Sequence, residues 1–259
     1  MGNRLGIVLA AGKGTRMKSD LPKVLFPVAG RPMIAYVLDA LRAAEIERLV
    51  VVVGYRADLV RETLGACADI EYVLQKEQLG TGHAVKMCHA ALATHEGPAL
   101  IVTGDSPLTQ TESLRALLND FETDQPACVL GTLHKPDPSG LGRILRDADG
   151  QFTGIIEEKD ANDQQKQITE VNMSTYVFEP KALLESLEKL QNDNRQGEYY
   201  VTDCPGILIA DGRRVRALPV LKPIEALSIN TVEDLAIVEA ELLKQDHYSP
   251  GGQVRPSGS

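Results

Sequence analysis

The chain has 259 residues, 43 % of them apolar and 24 % charged, values ordinary for one globular unit with a sizeable core. A formal net charge of −9 argues against a general nucleic-acid binder, whose contact face must be basic. No stretch reaches the roughly 18 apolar residues of a membrane span, the N-terminus reads as a β-like run rather than a signal peptide, and Cys67, Cys88, Cys128 and Cys204 lack C-x-x-C spacing and read as reduced thiols of a cytoplasmic protein.

Residues 5–11, LGIVLAA, form a short apolar run closed by a glycine turn, the pattern of a buried strand entering a loop. Met33, Ile34, Val37, Leu38 and Leu41 recur at helical spacing after Pro32 and predict a helix over 33–42. LVVVVG (49–54) reads as a buried strand, 57–64 as a helix, 70–75 as a strand and 83–93 as a helix. ALIVTG (99–104) is another buried strand, and 111–121 another helix. Strands that are apolar throughout, alternating with helices, predict an α/β fold: a Rossmann-like, mostly parallel sheet flanked by helices. Ligands of such sheets sit beyond the carboxyl ends of the strands. The Gly12 loop, Gln75 and Gly104-Asp105 all fall at that edge.

The second half is more mixed. Residues 127–133, 142–147 and 152–160 read as short strands, 161–167 as a polar loop and 170–178 as a strand. Residues 181–191 and 231–244 read as amphipathic helices. There is no internal repeat, and 247–259 lacks an apolar pattern and is expected to be disordered.

The stretch VLAAGKGTRMKSDLPKVLFP (8–27) gathers Lys13, Arg16, Lys18 and Lys23 around Gly12 and Gly14 in an acidic chain. Backbone N–H groups in a glycine turn behind a strand suit phosphate oxygens. The Walker loop is excluded: Gly6 lies one residue too far from Gly12, and Gly14 follows Lys13 where Ser or Thr should stand. The dinucleotide fingerprint is excluded too, because Met17 occupies its third glycine position. From the loop alone, a tight turn with solvated lysines stays open as the alternative.

The longer pattern is more specific. L-A-A-G-x-G-T-R-M followed by P-K resembles the signature of the sugar-phosphate nucleotidylyltransferases. QKEQLGTGHAV (75–85), GDSPL (104–108), GLGRI (140–144), IIEEKDA (155–161) and QGEYYVTD (196–203) follow in that family's order. Together they resemble the uridylyltransferase domains of bacterial bifunctional N-acetylglucosamine-1-phosphate uridylyltransferases over roughly residues 4–244. The resemblance implies a nucleotide-diphospho-sugar transferase fold over 1–246, with a nucleotide-binding half to about 125 and a smaller, mixed sugar-binding half after it. It implies UTP and N-acetylglucosamine 1-phosphate as substrates, UDP-N-acetylglucosamine and pyrophosphate as products, and Mg²⁺ as cofactor. No nucleic acid or membrane partner is expected, and the oligomeric state stays open. Nothing after residue 245 resembles the acetyltransferase β-helix of the bifunctional family, so that activity and its trimer interface are not expected of this chain.

The implied chemistry needs no general base. A sugar phosphate has a second pKa of about 6 and is already ionised at neutral pH, so catalysis consists of aligning anions and neutralising their charge. By resemblance, Leu9, Ala10, Ala11, Gly12, Gly14 and Thr15 cradle the triphosphate. Arg16 steadies the departing pyrophosphate, and Lys23 bridges phosphates near the α-phosphorus. Asp105 holds Mg²⁺, with a helix N-cap as its alternative role, and Asn230 is the second metal contact or only a helix cap. Gln75 reads the base with an amide that can both donate and accept, while Gly80 and Thr81 approach it closely. Gly142, Glu157 and Asn172 contact the sugar; the alternative for Glu157 is one of three charges in a solvated turn with Glu158 and Lys159. The sugar half departs from the family pattern at Leu141, Met173 and Ser174, so a uridylyl- or thymidylyltransferase for another hexose 1-phosphate is the alternative enzyme, and a silent nucleotide-sugar binder the alternative class.

Overall fold

The unbroken apolar runs become the inner strands of one sheet. The computed structural model describes residues 3–14, 17, 19–227, 229 and 232–244. β1 (Leu5–Ala10) leads to a small hairpin, β2 (Pro27–Val28) with β3 (Arg31–Pro32), and then to α1 (Met33–Ala43). β4 (Arg48–Val53), α2 (Ala57–Leu64), β5 (Ile70–Leu74), α3 (Thr81–Lys86), α4 (His89–Ala93), β6 (Ala99–Thr103) and α5 (Thr111–Asp124) follow. The second half adds β7 (Cys128–His134), β8 (Gly142–Arg146), β9 (Phe152–Ile156), β10 (Glu170–Phe178), α6 (Pro180–Glu188), α7 (Cys204–Ala210), β11 (Val215–Leu218) and α8 (Val232–Leu243).

The main sheet has nine strands, seven of them in the order β11-β7-β10-β6-β1-β4-β5, with β8 and β9 attached through β10. β5, β4, β1 and β6 run parallel. β10 is antiparallel to β6 and to β7, and β11 is parallel to β7. Both faces are covered, which is why the inner strands show no polar alternation. In β4, Leu49, Val51 and Val53 enter one core with α1 and α5, while Val50 and Val52 enter the other with α3, α4, α6 and α7.

β10 changes partner halfway along. Val171 and Asn172 pair with β8, whereas Tyr176 to Phe178 pair with β6. Between them the register against β7 shifts, and Ser174 takes a left-handed φ of 53°. A bulge of this kind bends a strand, and here it lies where β10 passes from pairing with β8 to pairing with β6.

Several elements differ from the sequence expectation. The helix expected over 83–93 starts at Thr81 and breaks at Met87–Cys88, where i→i−3 bonds from Met87 N–H to the Ala84 carbonyl (3.2 Å) and from Cys88 N–H to the Val85 carbonyl (2.9 Å) tighten the turn. The strand expected over 152–160 stops at Ile156, because Asp160 and Ala161 N–H both donate to the Glu157 carbonyl. The β2–β3 hairpin, α7 and β11 had no sequence signal: each hairpin strand is two residues, and the Cys-Pro-Gly opening of α7 reads as a turn although proline fits a first helical turn. Among the described residues no helix is long and apolar enough to cross a membrane. The tail 247–259 lies outside the described residues. Cys67 is half-buried; Cys88, Cys128 and Cys204 are buried, and all four are free thiols.

Candidate active site

The strand order determines where a crevice opens. From β1 the chain builds outward through β4 to β5, then returns to place β6 on the other side of β1. At such a switch point the loops leaving the two central strands diverge and leave room beyond their carboxyl ends. Gly104 N–H donates to the Leu9 carbonyl at 2.9 Å and ties the two strand ends together below that room. Gln75 N–H donates to the Val53 carbonyl at 2.8 Å and extends the same edge.

A cavity of about 590 Å³ lies there. Its wall contains Leu9, Ala10, Ala11, Gly12, Gly14, Lys23, Gln75, Gly80, Thr81 and Asp105, ten of the residues the sequence points to. Thr15, Arg16, Lys18 and Asn230 lie outside the described residues. Gly142, Glu157 and Asn172 do not line this cavity; they sit together at the β8–β9–β10 corner, Gly142 opposite Asn172 in the sheet. The wall also includes Met17 and Gln78, to which sequence reasoning assigned no role, and Glu198, whose block was expected to support the sugar pocket. Glu198 lies inside the quoted QGEYYVTD block, and that block was the available signal.

The loop after β1 is shaped by Gly14. Its φ is +68°, and a Cβ there would come within 2.5 Å of Lys23 Cβ. Glycine therefore lets the loop fold against the Lys23 side chain. A Cβ at Gly12 would meet no protein atom within 4 Å, so this wall is left open toward a ligand. Met17 N–H closes the loop on the Gly14 carbonyl at 3.0 Å. Lys13 is no bare surface lysine: its Nζ stands 5.1 Å from the Tyr55 ring centroid, over its face.

Lys23 and Asp105 meet across the cavity, Nζ to Oδ2 at 2.8 Å, with both side chains partly buried. Asp105 is not a helix cap, because Gln110 occupies the N-cap position of α5. This pair puts one cation and one carboxylate where the glycine loop and the end of β6 face each other.

At the other end, Gln75 is only 2 % exposed. Its Nε2 donates to the Gly80 carbonyl at 3.1 Å and lies 3.0 Å from His83 Nδ1. One amide hydrogen is thereby directed at the Gly80 carbonyl, and His83 Nδ1 stands beside the same nitrogen. The loop around Gly80 is clamped by residues 199–201. Gly82 N–H donates to the Tyr199 carbonyl (2.7 Å), Tyr199 N–H to the Leu79 carbonyl (2.9 Å), and Val201 N–H to Thr81 Oγ1 (3.1 Å).

The corner beyond is acidic. Thr202 Oγ1 donates to Glu157 Oε1 at 2.9 Å. Burial pushes the Glu157 carboxyl above its ordinary range despite that hydrogen bond, and Asp203, Asp160 and Glu198 push it the same way. The solvated-turn alternative for Glu157 is overturned. Glu158 pairs with Arg143, 2.6 Å away and 1 % exposed, and Lys159 bonds Gln196. Asn172 donates from Nδ2 to the Tyr176 hydroxyl (2.7 Å) and accepts from Ser174 N–H (3.2 Å), so its amide staples the β10 bulge.

Known proteins resemble the chain in sequence and in fold. Residues 6–203 match the family model described as a MobA-like NTP transferase domain. The chain is 46 % identical over 245 residues to the bifunctional protein GlmU of Streptococcus suis, covering 95 % of this chain and 53 % of that protein. It is also 46 % identical over 253 residues to bifunctional protein GlmU of Exiguobacterium sibiricum, covering 96 % and 56 %. The chain thus spans about half the length of the curated relatives it matches. A UDP-glucose pyrophosphorylase solved with UDP-glucose shares the fold, with a TM-score of 0.74 at 17 % identity over 93 % of this chain and 98 % of that one.

Proposed function

Because the chain belongs to the family of MobA-like NTP transferase domains, we propose that it transfers a uridylyl group from UTP to a sugar 1-phosphate, N-acetylglucosamine 1-phosphate first among them, releasing pyrophosphate. The observation that carries this reading is one cavity joining the glycine loop, Lys23, Asp105 and Gln75 at the switch point of the sheet. In the proposed step an ionised phosphate oxygen of the sugar attacks the α-phosphorus of UTP, the new P–O bond forms, and the bond to pyrophosphate breaks. Backbone N–H groups of the 11–14 loop orient the phosphates, and Lys23, now held on Asp105, offsets their charge. Arg16 is proposed to take the departing pyrophosphate.

Asp105 is the carboxylate that would hold Mg²⁺, with Asn230 proposed as its companion. The donor set fits: the cavity wall offers the Asp105 carboxylate, and among the described residues no cluster of three or more His, Cys, Asp or Glu forms a closed metal cage. Magnesium accepts such a sparse set because substrate phosphates and water complete its shell. When bound, the ion would neutralise phosphate charge and favour pyrophosphate departure.

A second reading, another hexose 1-phosphate as substrate, is favoured by one observation. The Asn172 amide is engaged by Tyr176 and Ser174, which leaves it less to offer an acetamido sugar. Pyrophosphate release with UTP and a panel of sugar 1-phosphates decides between the two. Highest kcat/KM on N-acetylglucosamine 1-phosphate supports the first reading, and preference for another hexose supports the second. No turnover on any sugar overturns both. Asp105→Asn or Lys23→Ala should lower kcat by about 10²-fold or more with the melting temperature little changed. A loss under about tenfold would remove those roles.

A further inference from the structure

The base-reading glutamine is held by a neighbour that has no assigned role. Gln75 Nε2 contacts two groups, the Gly80 carbonyl at 3.1 Å and His83 Nδ1 at 3.0 Å. A carbonyl oxygen only accepts, so the nitrogen end of the amide must face Gly80. Its second hydrogen then points at His83 Nδ1, which must accept, and the imidazole proton resides on Nε2. Among the described residues no donor lies on Gln75 Oε1. Gln75 lines the cavity, so the group it can offer a base is an acceptor.

We infer that His83 is a positioning and specificity-determining residue: by taking up one amide hydrogen through Nδ1 it fixes Gln75 as an acceptor, and so selects a pyrimidine whose ring nitrogen carries a proton over one whose ring nitrogen is bare. Uracil and thymine belong to the first class and cytosine to the second. This rests on the reading of the cavity as a nucleotide site. His83 stands on α3, two residues after Thr81, and α3 is clamped to residues 199–201. The ring is therefore carried by the same segment that supplies the Gly80 carbonyl. Without His83 the amide hydrogen aimed at Nδ1 has no internal acceptor, and only the Gly80 carbonyl still opposes a rotation that offers it to a bare ring nitrogen. Discrimination then falls, although the pocket stays in place.

Calorimetric titration of the full chain with UTP and with CTP, magnesium present, tests this in three proteins. The unaltered protein should bind UTP at least about tenfold more tightly than CTP, the scale set by one mismatched buried hydrogen bond. His83→Ala should bring the ratio to within about threefold, and His83→Asn, whose amide oxygen can accept near the position of Nδ1, should restore it. A ratio that survives in His83→Ala, even with both affinities lowered together, overturns the inference, because a merely structural role weakens both nucleotides alike. Equal binding of UTP and CTP by the unaltered protein overturns it as well. Nitrogen NMR of the unaltered protein gives a test independent of any variant: His83 should carry its proton on Nε2, and a proton on Nδ1 overturns the assignment. Nucleotide discrimination through His83 without pyrophosphate release in the turnover assay would refute the transferase reading and support this inference.

Discussion

Glu157 illustrates how a single side chain records a site. Its carboxylate is partly buried at the β8–β9–β10 corner, and among the described residues Thr202 is its hydrogen-bond partner, with no cation paired to it. A stability-driven sequence would place a neutral or paired group there, so the unpaired acid is held at a cost to the fold. Burial raises its proton affinity above the ordinary value of 4.5. With a raised folded value, its favourable contribution is complete below the unfolded pKa and is lost as pH rises through the folded one. Glu157→Gln never ionises and can still accept from Thr202. Relative to the unaltered protein it should therefore gain stability as pH rises from 4.5, the ordinary value, toward neutrality. Urea unfolding at both ends of that range checks this, and a difference independent of pH would show that Glu157 does not titrate against burial. At this scale the candidate site was partly legible. The residues of the glycine loop, Lys23, Asp105 and Gln75 stood in short contiguous motifs whose chemistry depends on residue type. The locked Gln75 amide and the Arg143–Glu158 pair were not legible, because each depends on a partner that only the folded turn brings into contact.

Between elements, the decisive joint links the loop into α3 with the segment at 198–203. Glu198 lines the cavity, Tyr199 and Val201 hold the 79–82 loop, and Thr202 reaches Glu157. One short stretch thus connects the Gln75 end of the cavity to the acidic corner. Gly80 makes the joint possible. Its φ is +104°, and a Cβ would come within 2.5 Å of the Tyr199 carbonyl. Gly80→Ala must either distort the backbone or part the two segments, costing about 1–3 kcal/mol. The expected result is a lower urea midpoint with a nucleotide KM raised about tenfold or more. A stable variant with unchanged KM would show that the clamp does not shape the site. Elements with long apolar periodicity, such as α1 and β4, were legible because burial on one or both faces writes a pattern over many residues. β11 was not, since it is short and takes its hydrogen bonds from β7, distant in sequence, and the β2–β3 hairpin was not, since two residues per strand are too few to write an alternating pattern. The same holds for the β10 bulge. Ser174 at a left-handed φ has no local sequence mark, and it arises where one strand must serve both β6 and β8.

For the whole molecule, the sheet explains where a cavity opens and a third apolar cluster explains how its floor is held. An acidic chain with net charge −9 repels a triphosphate at long range, so the cations near the loop after β1 must act locally and in a fixed geometry. Met17 is the anchor of that loop. It is buried with Val28 and Met33 from the start of the chain, Leu108 beyond β6, and Ile229, Val238 and Leu242 from the far end. Ala29 N–H also donates to Glu239 Oε1 on α8 at 2.8 Å. α8 therefore packs against the same cluster that fixes Met17, and Met17 N–H holds the Gly14 carbonyl. This coupling runs across more than two hundred residues of sequence, and the amphipathic pattern of α8 predicted a helix but not its partner. Leu242→Ala removes apolar contact from the cluster without touching the cavity wall. It should cost about 2–3 kcal/mol of stability. If the cluster sets the loop, the substitution should also weaken UTP binding severalfold while leaving the KM for the sugar 1-phosphate unchanged, provided that Gly142, Glu157 and Asn172, which do not line this cavity, form the proposed sugar contacts. Melting curves together with separate titrations of the two substrates measure both effects. Loss of stability with intact UTP affinity would mean that α8 supports the fold alone and that the loop after β1 keeps its shape through Gly14 and Lys23.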